Sequence, residues 1–141
     1  MSEGTTLKGK NIVVTGAAQG IGLGIVEELL AHDANVVMLD QDAETLSVSA
    51  DRLNAEADGT ILSFVTDVTD SKDLRKAFES ASSRLGSLDG LVNNAGIIRM
   101  GAALESTEED WLSQMNVNVV GVVNCCNLFR EHADGCGSIV N

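Results

Sequence analysis

Three glycines at the junction of an apolar run and a helical pattern have the spacing of a phosphate-binding turn. Gly16, Gly20 and Gly22 follow the run Lys10–Thr15, and the helical pattern begins at Gly20. In order, glycines at these positions permit a tight turn, close approach of the backbone to a pyrophosphate, and close packing of the helix on the strand. The free N–H groups near Gly20 and Ile21, at the positive end of the helix dipole, would then face the phosphates.

A carboxylate eighteen residues past Gly22 indicates which dinucleotide this turn would serve. Asp40 ends the next apolar run, where a carboxylate accepts hydrogen bonds from both hydroxyls of an adenosine ribose and repels a 2′-phosphate. The neighbouring positions, including Gln19 and Gln41, bring no cation. The sequence therefore predicts NAD in preference to NADP. In the alternative interpretation Asp40 caps the following helix, a role that Asp42 is free to fill.

Short β-branched runs alternate with longer helical patterns along the chain. Strands are predicted over residues 10–15, 35–40, 60–66 and 88–93, with a fifth from residue 137. Helices are predicted over residues 20–32 and 42–57, from an N-cap at Asp70 to Leu85, and from a capping box at Ser106–Glu109 to about Ala133. This alternation predicts an α/β fold, a Rossmann-like doubly wound parallel sheet truncated at its fifth strand, in one domain over residues 1–141. Such a sheet binds ligands beyond the carboxyl ends of its strands, where the glycine turn would lie.

Two helices carry apolar positions on one face. Ile21, Ile25 and Leu29 share a face of the first helix. Trp111, Met115, Asn118 and Val122 share a face of the last helix, which predicts a buried amide within an apolar stripe. The alternative for this amide is that it hydrogen-bonds only to backbone.

Composition excludes several classes of partner. The net charge of −12 argues against binding to nucleic acid or to an anionic membrane surface. No run approaches the roughly 18 apolar residues of a membrane span, and the first four residues lack a signal-peptide pattern, so a cytoplasmic protein is expected. Cys125, Cys126 and Cys136 have no zinc-binding spacing, so they are predicted to be packed, reduced thiols, and no metal site is expected.

The sequence resembles the short-chain dehydrogenase/reductase family from about Leu7 to Asn141. Thr15–Gly22 matches the family's Thr-Gly-x-x-x-Gly-x-Gly cofactor motif, and Asn93–Gly96 matches its Asn-Asn-Ala-Gly motif. Asp67 and Val68 match the pair that contacts the adenine ring in the family. The cofactor-binding residues that pattern and resemblance together imply are Gly16, Gln19, Gly20, Ile21, Gly22, Asp40, Asp67, Val68, Asn94, Ala95 and Gly96.

The resemblance implies an oxidoreductase that interconverts an alcohol and a ketone by hydride transfer, with a catalytic set of Asn, Ser, Tyr and Lys. Asn118 matches the asparagine, which in the family holds a water molecule of the proton relay. The serine is expected beyond Asn141, and the chain contains no tyrosine at any position. The isolated chain is therefore expected to be inactive, because the proton-transfer group is missing. The family's sixth and seventh strands are also missing, which would leave the fifth strand as an exposed apolar edge, so the isolated chain is expected to be marginally stable and at best a weak binder of NAD.

The complete enzyme is expected to act on a small-molecule alcohol or ketone as a homodimer or homotetramer. The alternative is a non-catalytic nucleotide-binding or interaction module. Ile97, Ile98 and Met100 either line part of a substrate pocket or pack their loop.

Overall fold

The computed structural model describes residues 6–99, 101 and 105–141. Its strands are β1 (Asn11–Thr15), β2 (Asn35–Asp40), β3 (Ile61–Val65), β4 (Gly90–Val92) and β5 (Ser138–Val140). Its helices are α1 (Gly20–Ala31), α2 (Ala43–Glu56), α3 (Ser71–Leu85), α4 (Glu108–Met115) and α5 (Val122–His132), with a π-helical segment (Asn116–Gly121) between the last two.

The strands form one parallel sheet in the order β3-β2-β1-β4-β5. This confirms the predicted doubly wound α/β fold. The strand order reverses between β1 and β4, and in such sheets the crevice for a ligand lies at that reversal. The strand predicted over residues 35–40 has the observed bounds of β2, whereas the other four predicted strands extend one or more residues too far at one or both ends. Pairing partners rather than composition decide where a ladder ends.

Successive strand residues face two separate hydrophobic layers. On one face Ile12, Val14 and Met38 pack with α1 and α2. On the other face Val13 and Leu39 pack with α3 and α5. The central strands β1 and β2 are thereby buried on both faces, which explains their continuous apolar runs at residues 12–14 and 36–39. Within the described ranges, no helix is long and apolar enough to cross a membrane.

The buried face of α1 differs from the predicted one by one residue. Gly22, Val26 and Leu30 are buried, whereas Ile21 is 78% exposed. A Cβ atom on residue 22 would overlap the carbonyl oxygen of Gly16, so this side of α1 contacts the turn itself. In this rotation Ile25 and Leu29 of the predicted face are partly buried against the same core, and Ile21 is not.

The last helix begins one residue later than predicted and is not continuous. Its capping box joins Thr107 to Asp110, with N–H···O distances of 3.0 and 3.2 Å, rather than Ser106 to Glu109. Both pairs have a spacing suited to a capping box, so the sequence alone does not choose between them. The π-helical segment then adds width to one turn and breaks the face on which Trp111 was expected to align with Val122.

Candidate functional site

A cleft of about 260 Å³ opens at the carboxyl ends of the strands. It brings together most of the cofactor residues expected from the sequence. Its lining consists of Gly16, Gln19, Leu39, Asp40, Gln41, Thr66, Asp67, Val68, Asn94, Ala95, Gly96, Ile97 and Val117. The other expected residues, Gly20, Ile21 and Gly22, belong to the first turn of α1 and are not part of this lining.

The glycine turn is fixed by an asparagine from the far side of the reversal. Gly16 and Gly20 have φ angles of +64° and +59°, a conformation that favours glycine. The Asn94 side-chain nitrogen donates to the carbonyl oxygens of Thr15 and Gly16, at 3.1 and 3.0 Å. The Thr15 hydroxyl in turn accepts the N–H groups of Asn94 and Ala95, at 3.1 and 3.0 Å. The loop after β4 and the turn after β1 therefore form one hydrogen-bonded unit.

The N-terminus of α1 is left without a side-chain cap. Gln19 occupies the N-cap position with no side-chain hydrogen bond, and no acidic residue lies in the first turn. By contrast, Asp42, Asp70 and Thr107 cap α2, α3 and α4. Nothing within 4 Å would meet a Cβ atom built on Gly20, so space lies open beside the turn. Uncapped N–H groups next to open space suit an anion such as a pyrophosphate.

Asp40 faces the cleft from the end of β2. Its Oδ2 accepts the N–H of Ala18 and its Oδ1 accepts the N–H of Asp42, both at 3.0 Å. Each oxygen keeps a further lone pair, so the carboxylate can still accept hydrogen bonds from a ligand. Asp42 caps α2 by accepting from Thr45, and these hydrogen bonds lower the pKa of Asp42. Asp42 therefore fills the capping role at α2, and Asp40 lines the cleft.

Asp67 and Val68 face the cleft from the loop after β3. The Oδ1 atom of Asp67 accepts both the N–H and the hydroxyl of Thr69, each at 2.8 Å. These bonds close a turn and leave Oδ2 of Asp67 free of them, as an acceptor beside the cleft. The cleft lining includes two carboxylates, those of Asp40 and Asp67, and no lysine or arginine.

Asn118 lies outside this cleft, in a neighbouring one. Its Oδ1 accepts the N–H of Ile97 and its Nδ2 donates to the carbonyl of Ile97, both at 2.8 Å. The expectation of a buried amide is wrong: Asn118 is exposed, and Trp111 and Met115 are 55% and 53% exposed. Both of these bonds are to backbone, as in the alternative interpretation, although one hydrogen of Nδ2 and one lone pair of Oδ1 remain.

The second cleft measures about 410 Å³ and shares the Ala95–Ile97 segment with the first. Asn118, Ile97 and Ile98 belong to its lining, whereas Met100 lies outside the described residues. Gln114 contacts the same loop two residues beyond this segment, because its Oε1 accepts the N–H of Arg99 at 3.1 Å. The loop after β4 is thus held by two amide side chains, Gln114 of α4 and Asn118 of the π-helical segment.

Five lining residues were not among the cofactor-binding residues expected from the sequence. Leu39, Gln41, Thr66 and Ile97 each adjoin a candidate, so the candidate motifs signalled their position but not their orientation. Val117 comes from the π-helical segment and carries no local signal. Its place in the cleft depends on how that segment crosses the sheet. Among the described residues, no group of three His, Cys, Asp or Glu side chains is arranged to hold a metal ion.

Comparison with known proteins relates this architecture to one family. Residues 10–141 match the family described as short chain dehydrogenase. D-threitol dehydrogenase of Mycolicibacterium smegmatis is 34% identical over 137 residues, which cover 96% of this chain and 52% of that protein.

Two solved structures share the fold closely. A short-chain dehydrogenase/reductase of Burkholderia phymatum in complex with NAD superposes with a TM-score of 0.90 at 30% identity, over 96% of this chain and 49% of that one. A short-chain dehydrogenase of Burkholderia cenocepacia in complex with NADP superposes with a TM-score of 0.85 at 32% identity, over 94% of this chain and 54% of that one. The chain therefore spans about half the length of these relatives.

Proposed function

The chain belongs to the short-chain dehydrogenase/reductase family, and we propose that its cleft binds NAD(H) for an enzyme that interconverts an alcohol and a ketone. The observation that carries this proposal is the meeting of the uncapped α1 N-terminus and the Asp40 carboxylate at one end of the sheet. The first suits a pyrophosphate and the second suits a ribose diol.

The residues of the cleft fit a nicotinamide dinucleotide from end to end. Asp67 and Val68 would hold the adenine, Asp40 its ribose, and the N–H groups around Gly20 the two phosphates. Asn94, Ala95 and Gly96 would lie toward the nicotinamide end, where the two clefts meet. The bound dinucleotide supplies the nicotinamide carbon that accepts or donates hydride. Complexes of the Burkholderia relatives with NAD and NADP support this class of cofactor.

We propose a preference for NAD over NADP on electrostatic grounds. A 2′-phosphate would be placed next to the Asp40 carboxylate, in a cleft whose lining contains no lysine or arginine. Two like charges a few ångströms apart repel even at the effective dielectric of a protein surface. The Ala18 and Asp42 N–H groups hold Asp40 in place, so the carboxylate cannot readily turn away.

Asn118 is proposed to hold a water molecule of the proton relay with its remaining hydrogen and lone pair. Its bonds to Ile97 fix the amide at the edge of the second cleft, which would receive a small-molecule alcohol or ketone. Because these 141 residues contain no tyrosine, we propose that they bind cofactor without turning over an alcohol. For the whole protein we propose a homodimer or homotetramer.

Calorimetric titration of the chain with NADH and NADPH tests the proposal. We expect NADH to bind at least about tenfold more tightly, which corresponds to ~1.4 kcal/mol. Asp40→Ala should bring the two affinities within a few-fold of each other. Asp51→Ala removes an exposed carboxylate of α2 and serves as the matched control, with an unchanged ratio. Tighter binding of NADPH would disprove the preference, and no binding of either would disprove the function.

A further inference from the structure

One asparagine of α5 holds the loop that carries Asp67 and Val68. The side-chain nitrogen of Asn124 donates to the carbonyl oxygen of Val68 at 3.1 Å, across 56 positions of the sequence. Asn124 is not part of the lining of either cleft described above, so it does not face the proposed cofactor. Asn124 can therefore act on binding only through the loop.

Gly121 makes a second contact with the same residue. A Cβ atom on residue 121 would lie 2.5 Å from Cγ2 and 3.1 Å from Cβ of Val68. The absence of a side chain at the end of the π-helical segment thus lets the Val68 side chain approach the helix. Val68 is only 7% exposed, and both its side chain and its carbonyl are fixed by the same helical region.

The remaining bonds of the loop define its shape but not its distance from α5. Asp67 accepts from Thr69 through its side chain and from the N–H of Asp70 through its carbonyl, at 2.9 Å for the latter. The N–H of Thr66 donates to the carbonyl of Asp40 and joins the start of the loop to β2. The Asn124 bond adds the connection on the other side, toward α5.

We propose that Asn124 is a positioning residue for the adenine end of the cofactor. By holding the Val68 carbonyl, it sets where the free Oδ2 of Asp67 points in the cleft, and this oxygen is the acceptor suited to the exocyclic amine of adenine. The inference rests on the proposed function. An aspartate at position 124 has the same shape but no donor, and its carboxylate would lie against the Val68 carbonyl oxygen.

The test compares NADH with deamino-NADH, in which an oxygen replaces the adenine amine. Both ligands share the phosphates, the riboses and the nicotinamide, so the ratio of their dissociation constants reports contacts at one edge of the base, where the C6 amine becomes a carbonyl and N1 gains a hydrogen. We expect the chain to prefer NADH by about three- to tenfold, the range for one hydrogen bond. Asn124→Ala and Asn124→Asp should weaken NADH binding by a similar factor and bring the ratio close to one. Asn116→Ala, an exposed asparagine of the π-helical segment, should leave both constants unchanged.

Hydrogen exchange gives a second readout that needs no ligand. The amides of Thr69 and Asp70 bond within the loop, and their exchange should accelerate in Asn124→Ala but not in Asn116→Ala. Gly121→Ala, which displaces Val68 while keeping Asn124, should reproduce both effects.

Each outcome decides between the two proposals. A chain that binds neither dinucleotide disproves the proposed function and the inference with it. A chain that binds NADH without preferring it to deamino-NADH overturns the inference alone. So does a preference that survives in both Asn124 variants, or a loop whose exchange they leave unchanged.

Discussion

The side-chain nitrogen of Asn94 lies 3.0 Å from the carbonyl oxygen of Gly16, across 78 positions of the sequence, and 3.1 Å from that of Thr15. One amide thus satisfies two carbonyls of a turn that has no room for a side chain at Gly16. Asn94→Asp keeps the shape but replaces the donor with acceptors. We expect the free energy of unfolding to fall by about 2–3 kcal/mol, because two carbonyls lose a partner and face a carboxylate. Urea denaturation followed by circular dichroism measures this loss.

The control for that substitution is Asn54→Asp. Asn54 also donates to a backbone carbonyl, that of Ala50, at 2.9 Å, but it is exposed on α2. Water can replace its bond, so the change should stay within about 0.5 kcal/mol. Equal losses in the two variants would show that the turn does not depend on Asn94.

Ser49 supports the glycine turn from beneath. Its hydroxyl donates to the carbonyl of Ala18 at 2.7 Å, and the N–H of Ala18 in turn donates to the carboxylate of Asp40. Ser49→Ala should lower the free energy of unfolding by about 1–3 kcal/mol. Ser49 is 8% exposed and Ala18 is fully buried, so the carbonyl of Ala18 would lose its partner without access to water. Thermal unfolding tests this, with Ser47→Ala on the exposed side of α2 as the control. A transition temperature as little changed as in the control would contradict the assignment.

Asp89 should make stability depend on pH. Burial alone would raise its pKa, but the backbone N–H of Asn11 and the ammonium of Lys10 donate hydrogen bonds to its carboxylate and lower the pKa overall. Because the pKa of Asp89 is lower in the folded state, its ionised carboxylate stabilises the fold. That contribution is complete above the pKa of the unfolded state, about 3.9, and is lost as the pH falls through the pKa of the folded state.

The comparison of wild type with Asp89→Asn over pH 7 to 3 measures that contribution. The free energy of unfolding of the wild type should exceed that of Asp89→Asn by a constant amount above about pH 5, and this difference should shrink below about pH 4. Asp51→Asn, at an exposed site, should show no such dependence. A difference that grows toward acid would have the opposite sign and would rule out the assigned role.

Cys125 should be inert in the folded chain. Burial, with a smaller contribution from Cys126, raises the pKa of its thiol to about 12, so almost no thiolate forms near pH 8. Cys136 is exposed. A disulfide reagent should therefore modify Cys136 in a fast phase and Cys125 only on unfolding. Cys136→Ser should abolish the fast phase and Cys125→Ser should leave it intact; the reverse pattern would show that Cys125 is accessible.

Local patterns in the sequence were sufficient for the fold and for most of the cleft. The alternation of apolar strands with helices predicts a parallel sheet, and a parallel sheet brings the ends of its strands to one edge. Residues that follow those strands, such as Asp40, Asp67 and Asn94, must then lie close together. The periodicity was less informative for α1, whose buried face includes Gly22, Val26 and Leu30 and leaves Ile21 exposed, because Gly22 packs directly against Gly16.

The sequence by itself determined the order of the elements, the parallel sheet and the kinds of side chain at its carboxyl edge, because these depend on residue type and short-range spacing. Only the tertiary structure decided that Asn118 bonds to Ile97 and that Asn124 bonds to Val68. Both pairings depend on the rotation of a helix that contains a π-helical segment, and that rotation is fixed by packing against the sheet. No pattern within the helix encodes which distant backbone group its amides will meet.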